Sequence, residues 1–271
     1  MNRTILLDGA SGTLLWSMAE ARGIPKIPVW RYNKLAPQLV ESIARAYLDA
    51  GSGIIYSNTF CANPPAVEQE GEDLEEIIRT GVAIAKSAAA EYGAKTALDF
   101  GPLMNALEPF GGTSEDDCRG YFRRMCRLGA AEGADLIVLE TFMDAPMLRI
   151  AAEEAAETGL PLFCTMSFAN GSRTFFGSSI DDMLEALEPL SPAAVGLNCS
   201  FGPVQAIPVM QEFAQKTDLP LILKPNTADL PAAEFAKALE PALDTVSYAG
   251  ACCGSDPEYI RKIKDLLEER G

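Results

Sequence analysis

Gly133-Ala134-Asp135-Leu136-Ile137-Val138-Leu139-Glu140-Thr141 is the stretch that decides the fold of this chain. Its middle, 135–140, is a short β-rich run, apolar for four positions and closed by an acid. No polar residue alternates with the apolar ones, so a strand here has no solvent face and must be covered on both sides. Amphipathic helical stretches flank it at 115–131 and 146–157, and Gly133 falls where the first of them should end. A strand buried on both faces between two helices belongs to a parallel sheet.

Working outward, the same unit recurs from end to end. Apolar, β-rich runs lie at 4–7, 53–57, 95–100, 135–140, 161–167, 194–198, 220–224 and 245–249. Helical stretches lie at 37–50, 73–92, 115–131, 146–157, 180–190, 204–216, 231–239 and 257–269. Ser114 with Asp117, and Ser255 with Glu258, read as capping boxes. Gly51, Gly93, Gly133 and Gly159 read as helix stops. Eight strand-helix units in 271 residues predict the α/β class and a (β/α)8 TIM barrel, a single domain over 1–271. A doubly wound open sheet is the rival architecture. The irregular, proline-bearing segment 23–34 is expected to cover one end of the barrel.

Lys plus Arg number 22 against 38 Asp plus Glu, a formal charge of −16. That field repels nucleic acid and anionic membrane, and no basic stripe offsets it, so neither is an expected partner. Acidic runs such as Glu72-Asp73-Leu74-Glu75-Glu76 read as solvated helix faces, with an acidic docking surface as the second reading. No apolar run is long enough to span a bilayer, and residues 1–16 lack the build of a secretory signal, so a cytoplasmic location is expected. Seven cysteines, an odd number, point to free or metal-bound thiols rather than a disulfide framework. The chain contains no histidine, which excludes imidazole as base, nucleophile or metal ligand.

In a barrel the chemistry gathers at the carboxyl ends of the strands. The unusual residues of this sequence fall there. Asp8-Gly9-Ala10-Ser11-Gly12-Thr13 follows the first run and Asn58-Thr59-Phe60 the second. Asp99-Phe100-Gly101-Pro102, Glu140-Thr141, Asn198-Cys199 and Pro225-Asn226 close the third, fourth, sixth and seventh, and Gly250-Ala251-Cys252-Cys253-Gly254 follows the eighth. Adjacent cysteines on a regular strand point to opposite faces. The flanking glycines free the backbone to bring both sulfurs to one point. With Cys199 at the same mouth, three thiolates and a vacant fourth position describe an open zinc site of the catalytic kind. Ordinary buried thiols are the competing reading.

The small residues at 8–13 expose backbone N–H groups to an anion. The loop lacks both the G-x-G-x-x-G spacing and the lysine of a P-loop, so a carboxylate is the expected guest. Asp8 and Glu140, acidic ends of buried strands, would hold an ammonium group; helix capping and a buried ion pair are their structural alternatives. Together these groups suit the α-amino-acid end of a ligand. Cys118, Cys126 and Cys164 read as packing residues, as does Cys61 despite its place near the mouth.

Taken in order, the 8–13 loop, Ser57-Asn58-Thr59-Phe60, Gly101-Pro102, Leu139-Glu140-Thr141, Gly196-Leu197-Asn198-Cys199 and the double-cysteine loop with Asp256-Pro257-Glu258 form a pattern. It resembles the zinc-dependent homocysteine S-methyltransferase family, most of all the homocysteine-binding barrel of cobalamin-dependent methionine synthases. The likeness covers nearly the whole chain. It implies a catalytic zinc on Cys199, Cys252 and Cys253, with the homocysteine sulfur in the open position. It further implies Asp8 and Glu140 on the amino group, the backbone of Gly9 and Ala10 on the carboxylate, Asn198 supporting the metal site, and Asn58 beside the substrate. The product is then methionine. A free thiol ionises near pH 8.5, about, whereas a zinc-held one is deprotonated outright, so the nucleophile needs no histidine base. Three departures stand out: Tyr56 replaces the usual glutamate ahead of Asn-Thr-Phe, Leu103 replaces the usual threonine after Gly-Pro, and the 226–244 connection is short.

The donor follows from the same likeness. In methionine synthase it is methylcobalamin on another domain, which normally offers the cobalt a histidine. This chain has no histidine and no stretch left over for that module, so methylcobalamin is expected on a separate corrinoid protein. The alternative is a small onium donor, S-methylmethionine, S-adenosylmethionine or betaine, held against the rings of Tyr56, Tyr248 or Trp16. Relatives with sulfonium donors tend to carry Ser-Tyr-Gln where this chain has Ser57-Asn58-Thr59-Phe60. A reading of another class is a non-catalytic zinc-binding barrel, which needs a fourth protein ligand that the sequence does not show.

Overall fold

In the computed structural model, which describes residues 4–270, every one of the eight apolar runs carries a strand. These are β1 (Ile5–Leu6), β2 (Ile54–Tyr56), β3 (Lys95–Phe100), β4 (Leu136–Phe142), β5 (Leu162–Met166), β6 (Ala194–Asn198), β7 (Leu221–Lys224) and β8 (Tyr248–Ala249). They form one sheet in the order β1-β8-β7-β6-β5-β4-β3-β2, with every registered pair parallel. The two ends of that order also meet: the Gly53 N–H donates to Leu6 O at 2.8 Å and Ser52 Oγ donates to Leu7 O at 3.1 Å. The sheet thus curls into a nearly closed barrel, the (β/α)8 architecture.

The outer ring is α1 (Pro37–Ala50), α2 (Leu74–Ala90), α3 (Glu115–Ala131), α4 (Ala145–Ala156), α5 (Ile180–Leu187), α6 (Pro203–Lys216), α7 (Ala232–Leu239) and α8 (Pro257–Arg270). Strand alternation sorts the core into two layers. Leu136, Val138, Ala97, Phe163, Ala194 and Ile222 fill the barrel interior, while Ile137, Leu139, Leu98, Cys164, Val195 and Leu223 pack outward against the helices. Continuing the inward parity to the carboxyl ends brings Tyr56, Asp99, Glu140, Asn198 and Lys224 to the mouth. Gly196 lies on the same inward row, where a Cβ would come within 2.0 Å of Ile222 O.

The structure departs from the sequence expectations in a few places. The last two residues of the 8–13 loop open a helix, Gly12–Glu20, and a hairpin of Phe168–Asn170 and Arg173–Thr174 follows β5. Ser114 accepts the Asp117 N–H as expected, at 3.1 Å. Ser255 does not cap α8: its Oγ accepts the Ala10 N–H at 2.9 Å and donates to Cys252 O at 2.8 Å, and Asp256 takes the Glu258 N–H instead. The 23–34 segment walls the mouth, with Trp30, Tyr32 and Asn33 buried. Residues 1–3 and 271 of the expected 1–271 barrel lie outside the described residues. Among the described residues no helix is long and apolar enough to cross a membrane.

Candidate active site

A cavity of about 290 Å³ opens at the carboxyl end of the barrel, walled by the 8–13 loop, the ends of β2, β3, β4 and β7, and the double-cysteine turn. Cys199 follows β6 directly with φ +47°, and its N–H donates to Lys224 O at 3.1 Å. The Cys252 N–H donates to Pro225 O at 2.9 Å. Gly254 turns the chain back with φ +88°, where any Cβ would also meet Thr227 Oγ1. The sulfurs of Cys199, Cys252 and Cys253 all lie within 4.8 Å of one another, and those of Cys199 and Cys253 are 3.3 Å apart. Thiolates on one tetrahedral ion, with bonds of about 2.3 Å, sit roughly 3.8 Å apart, so the donor set and its spacing fit such a metal. Hydrogen bonds from Cys199 and Cys252 bring the Cys253 thiol down to about 3, while the Cys199 and Cys252 thiols are held above their ordinary values, so thiolate character gathers on Cys253.

Asn198 is wholly buried behind this trio. Its Oδ1 accepts the Thr141 N–H and the Thr165 hydroxyl, each at 2.7 Å; its Nδ2 donates to Thr141 Oγ1 at 2.7 Å and lies 4.0 Å from Cys252 Sγ. Thr141 has φ +65° at an irregularity in the β4–β5 register, a local strain that sets Glu140 and Thr141 against the cavity.

Asp8 and Glu140 do converge, but on a residue the sequence reading passed over. Lys224 Nζ lies 3.0 Å from Asp8 Oδ1 and 3.5 Å from Glu140 Oε2, and sits 3.7 Å from the centroid of the Tyr56 ring. Asp8 Oδ2 accepts the Tyr56 N–H at 2.8 Å. Burial works against the lysine charge, yet Asp8 and Glu140 outweigh it and hold the Lys224 pKa well above its ordinary value. Burial, then the Glu140 charge, push the Asp99 carboxyl well above the usual range, and its buried Oδ1 has no hydrogen-bond partner among the described residues. A lysine ending the buried run 220–224, two positions from an inward isoleucine, was the available signal.

Other candidates are placed differently from expectation. Asn58 borders the cavity, but its Nδ2 donates to Val29 O and Asn33 Oδ1, both at 2.8 Å, which anchors the 23–34 wall. Ala10 has its N–H on Ser255 and its carbonyl on Tyr47 OH, at 2.8 Å. Gly9 borders the cavity, and the opening amides of the Gly12–Glu20 helix, which also borders it and has no acid in its first turn, are further donors for an anion. Of the three aromatic rings, Tyr56 carries Lys224, Trp16 carries Lys26 at 4.5 Å, and Tyr248 packs on Phe163 at 4.5 Å inside the barrel. Cys118, Cys126 and Cys164 are buried, and Cys61 borders the cavity with its pKa raised by burial to about 11.

On the same rim, beyond β3 and β4, a second cavity of about 300 Å³ is lined by Leu103, Met104, Phe110, Met143, Met147 and Phe176 among others. Met104, Phe110, Phe175 and Phe176 are exposed there.

Fold and rim together define a (β/α)8 barrel with a thiol cluster at its catalytic end. Residues 5–267 match the family model described as homocysteine S-methyltransferase, and the chain belongs to that enzyme family. It is 28% identical over 294 residues to the methionine synthase of Mycobacterium tuberculosis, covering 96% of this chain and 24% of that protein. It is 27% identical over 292 residues to betaine–homocysteine S-methyltransferase 1 of Rattus norvegicus, covering 93% of this chain and 70% of that one. The chain thus spans about a quarter of the length of the methionine synthases it matches. The metallated form of the homocysteine methyltransferase MmuM from Escherichia coli superposes with TM-score 0.83 over 97% of this chain and 96% of that one, at 21% identity, a likeness of fold.

Proposed function

We propose that this chain methylates the thiol of homocysteine to give methionine, at a zinc held by Cys199, Cys252 and Cys253, with the methyl group delivered by a methylcorrinoid on a separate protein. The convergence of the three sulfurs carries this reading. Zinc bound there would keep the acceptor sulfur as thiolate at neutral pH, a task no histidine of this chain could share. Asn198, fixed by Thr141 and Thr165, holds the Cys199 turn in place behind the sulfurs. The opening amides of the Gly12–Glu20 helix offer the acceptor carboxylate its donors, and Asp8 and Glu140 give the head-group end of the cavity its negative charge. The thiol proton leaves to solvent through the open mouth. Residues 1–271 would act as one barrel domain. All seven cysteines are free, which suits the reducing cytoplasm.

The exposed aromatic rim beside the cavity supports a protein-borne donor, since contiguous apolar surface of this kind marks a macromolecular contact. The rings that a small onium compound would use are engaged by Lys224, Lys26 and Phe163. The likeness to betaine–homocysteine S-methyltransferase 1 keeps an onium donor as the second reading. Zinc-loaded protein with homocysteine and, in turn, methylcobalamin, S-methylmethionine and betaine decides between them. Methionine from methylcobalamin is expected, and no methionine from any of the three would defeat the reading.

A further inference from the structure

A buried carboxylate, Asp8, and a partly buried one, Glu140, flanking one point are what an α-ammonium group needs, and in this cavity the space between them is filled. The Lys224 ammonium makes the contacts a substrate ammonium would make, 3.0 Å to Asp8 Oδ1 and 3.5 Å to Glu140 Oε2, with the Tyr56 ring face on a third side. Both side chains of the short pair are almost fully buried, so this is not a surface contact that water exchanges freely. Both oxygens of Asp8 are committed, one to Lys224 and the other to the Tyr56 N–H. A second ammonium entering here would meet a like charge in an enclosed site, against two carboxylates already half neutralised.

We propose that Lys224 is a built-in counterion that occupies the ammonium subsite and opens the acceptor range of this enzyme to thiols bearing a carboxylate but no α-ammonium, with 4-mercaptobutanoate as the analogue of homocysteine in that class. The proposal rests on the thiol-methyltransferase reading above. Its carboxylate meets the opening amides of the Gly12–Glu20 helix, while its sulfur reaches Cys199, Cys252 and Cys253. In the transfer the thiol gives its proton to solvent and the sulfur lone pair forms the new carbon–sulfur bond. The methyl–cobalt bond of the methylcorrinoid breaks, with its electron pair left on the corrinoid, and the product is 4-(methylsulfanyl)butanoate.

The test compares 4-mercaptobutanoate with homocysteine on zinc-loaded full-length protein, by titration calorimetry and by kcat/KM with methylcobalamin as donor. Wild-type protein is expected to bind and turn over the deamino thiol at least as well as homocysteine. In Lys224→Met the two carboxylates lose their resident cation, and preference is expected to swing toward homocysteine by about tenfold or more. Lys224→Arg, which keeps the charge, is expected to retain the wild-type order. A wild type that binds homocysteine tenfold or more tightly than 4-mercaptobutanoate overturns the proposal, as does an unchanged ratio in a folded Lys224→Met protein; the first measurement needs no variant to fold. Calorimetry that ranks the thiols as expected while no donor methylates either one sustains the head-group assignment and sinks the methyltransferase reading instead.

Discussion

Asn198 and Thr141 exchange two hydrogen bonds of 2.7 Å between β6 and β4, one through the Thr141 main chain and one through its hydroxyl. Neither strand is the other's neighbour in the sheet; β5 lies between them and adds the Thr165 hydroxyl to the same amide oxygen. The amide is thus a three-strand tie set directly behind the thiol cluster. Asn198→Ala is expected to cost roughly 2–4 kcal/mol in urea denaturation, because it orphans buried groups on Thr141 and Thr165. It should also weaken zinc binding by about 10–100-fold in a chelator competition, the usual effect of losing a group that orients metal ligands. Unchanged zinc affinity would show that the amide serves the fold alone.

The thiols separate into two classes that zinc content can distinguish. Cys199→Ser, Cys252→Ser and Cys253→Ser are each expected to bring bound zinc from about one per chain to near zero, together with the loss of methyl transfer. Cys61→Ser borders the same cavity and should keep its zinc. Stoichiometric zinc in the Cys199→Ser protein would refute the assignment.

The buried pair of Asp8 and Lys224 yields a non-additive expectation. Asp8→Asn leaves a buried cation with only Glu140 to answer it, and should destabilise by roughly 3–5 kcal/mol. The double variant Asp8→Asn, Lys224→Met removes the stranded charge and should recover most of that loss. Equal losses in the single and double variants, read in a double-mutant cycle, would show that the two charges are not coupled.

Asp99 sets a pH dependence. Burial raises its carboxyl pKa in the folded state, with the Glu140 charge adding to the effect and Lys224 opposing it. Above the unfolded value of about 3.9 the native state keeps a proton that the unfolded chain has released, so stability falls as pH rises, by up to about 1.4 kcal/mol per unit, until the folded group also ionises. Asp99→Asn should flatten this part of the profile and leave the protein as stable or more stable at pH 7–8. A steeper profile in the variant would contradict the assignment.

The aromatic rim bears on the donor. Replacing Phe110 and Phe176 by Ser, both exposed, should leave turnover of free methylcobalamin within about twofold while reducing transfer from a carrier-bound methylcorrinoid by tenfold or more. Equal rates with the carrier would remove the rim from the docking surface.

The frame of the molecule was readable because buried strands and amphipathic helices leave strong periodic traces. The 37–50 and 115–131 helices have the same bounds in sequence and structure. The thiol cluster was readable because adjacent cysteines between glycines admit few geometries. The Gly12–Glu20 helix was obscured by its small opening residues, which suit an anion loop and a helix start equally well. The role of Ser255 was hidden because the spacing of a capping box says nothing about a neighbour 245 residues away. Lys224 was overlooked because a single lysine at the end of an apolar run looks like a strand terminus; only the barrel's inward parity puts it between Asp8 and Glu140.

The barrel closes at a weak seam. β1 and β8 have two residues each against seven in β4, and among the described residues β1 reaches the β2 side through the one main-chain bond from Gly53 to Leu6. An ion gripped by Cys199 after β6 and by Cys252 and Cys253 after β8 would bridge across β7, and the Ser255–Ala10 bond carries that bridge on to β1. Breathing of the seam and escape of the ion then become a single motion. The metal would act as the clasp of the barrel as well as its reagent, and the amides of β1 and β8 would exchange with deuterium fastest in protein stripped of it.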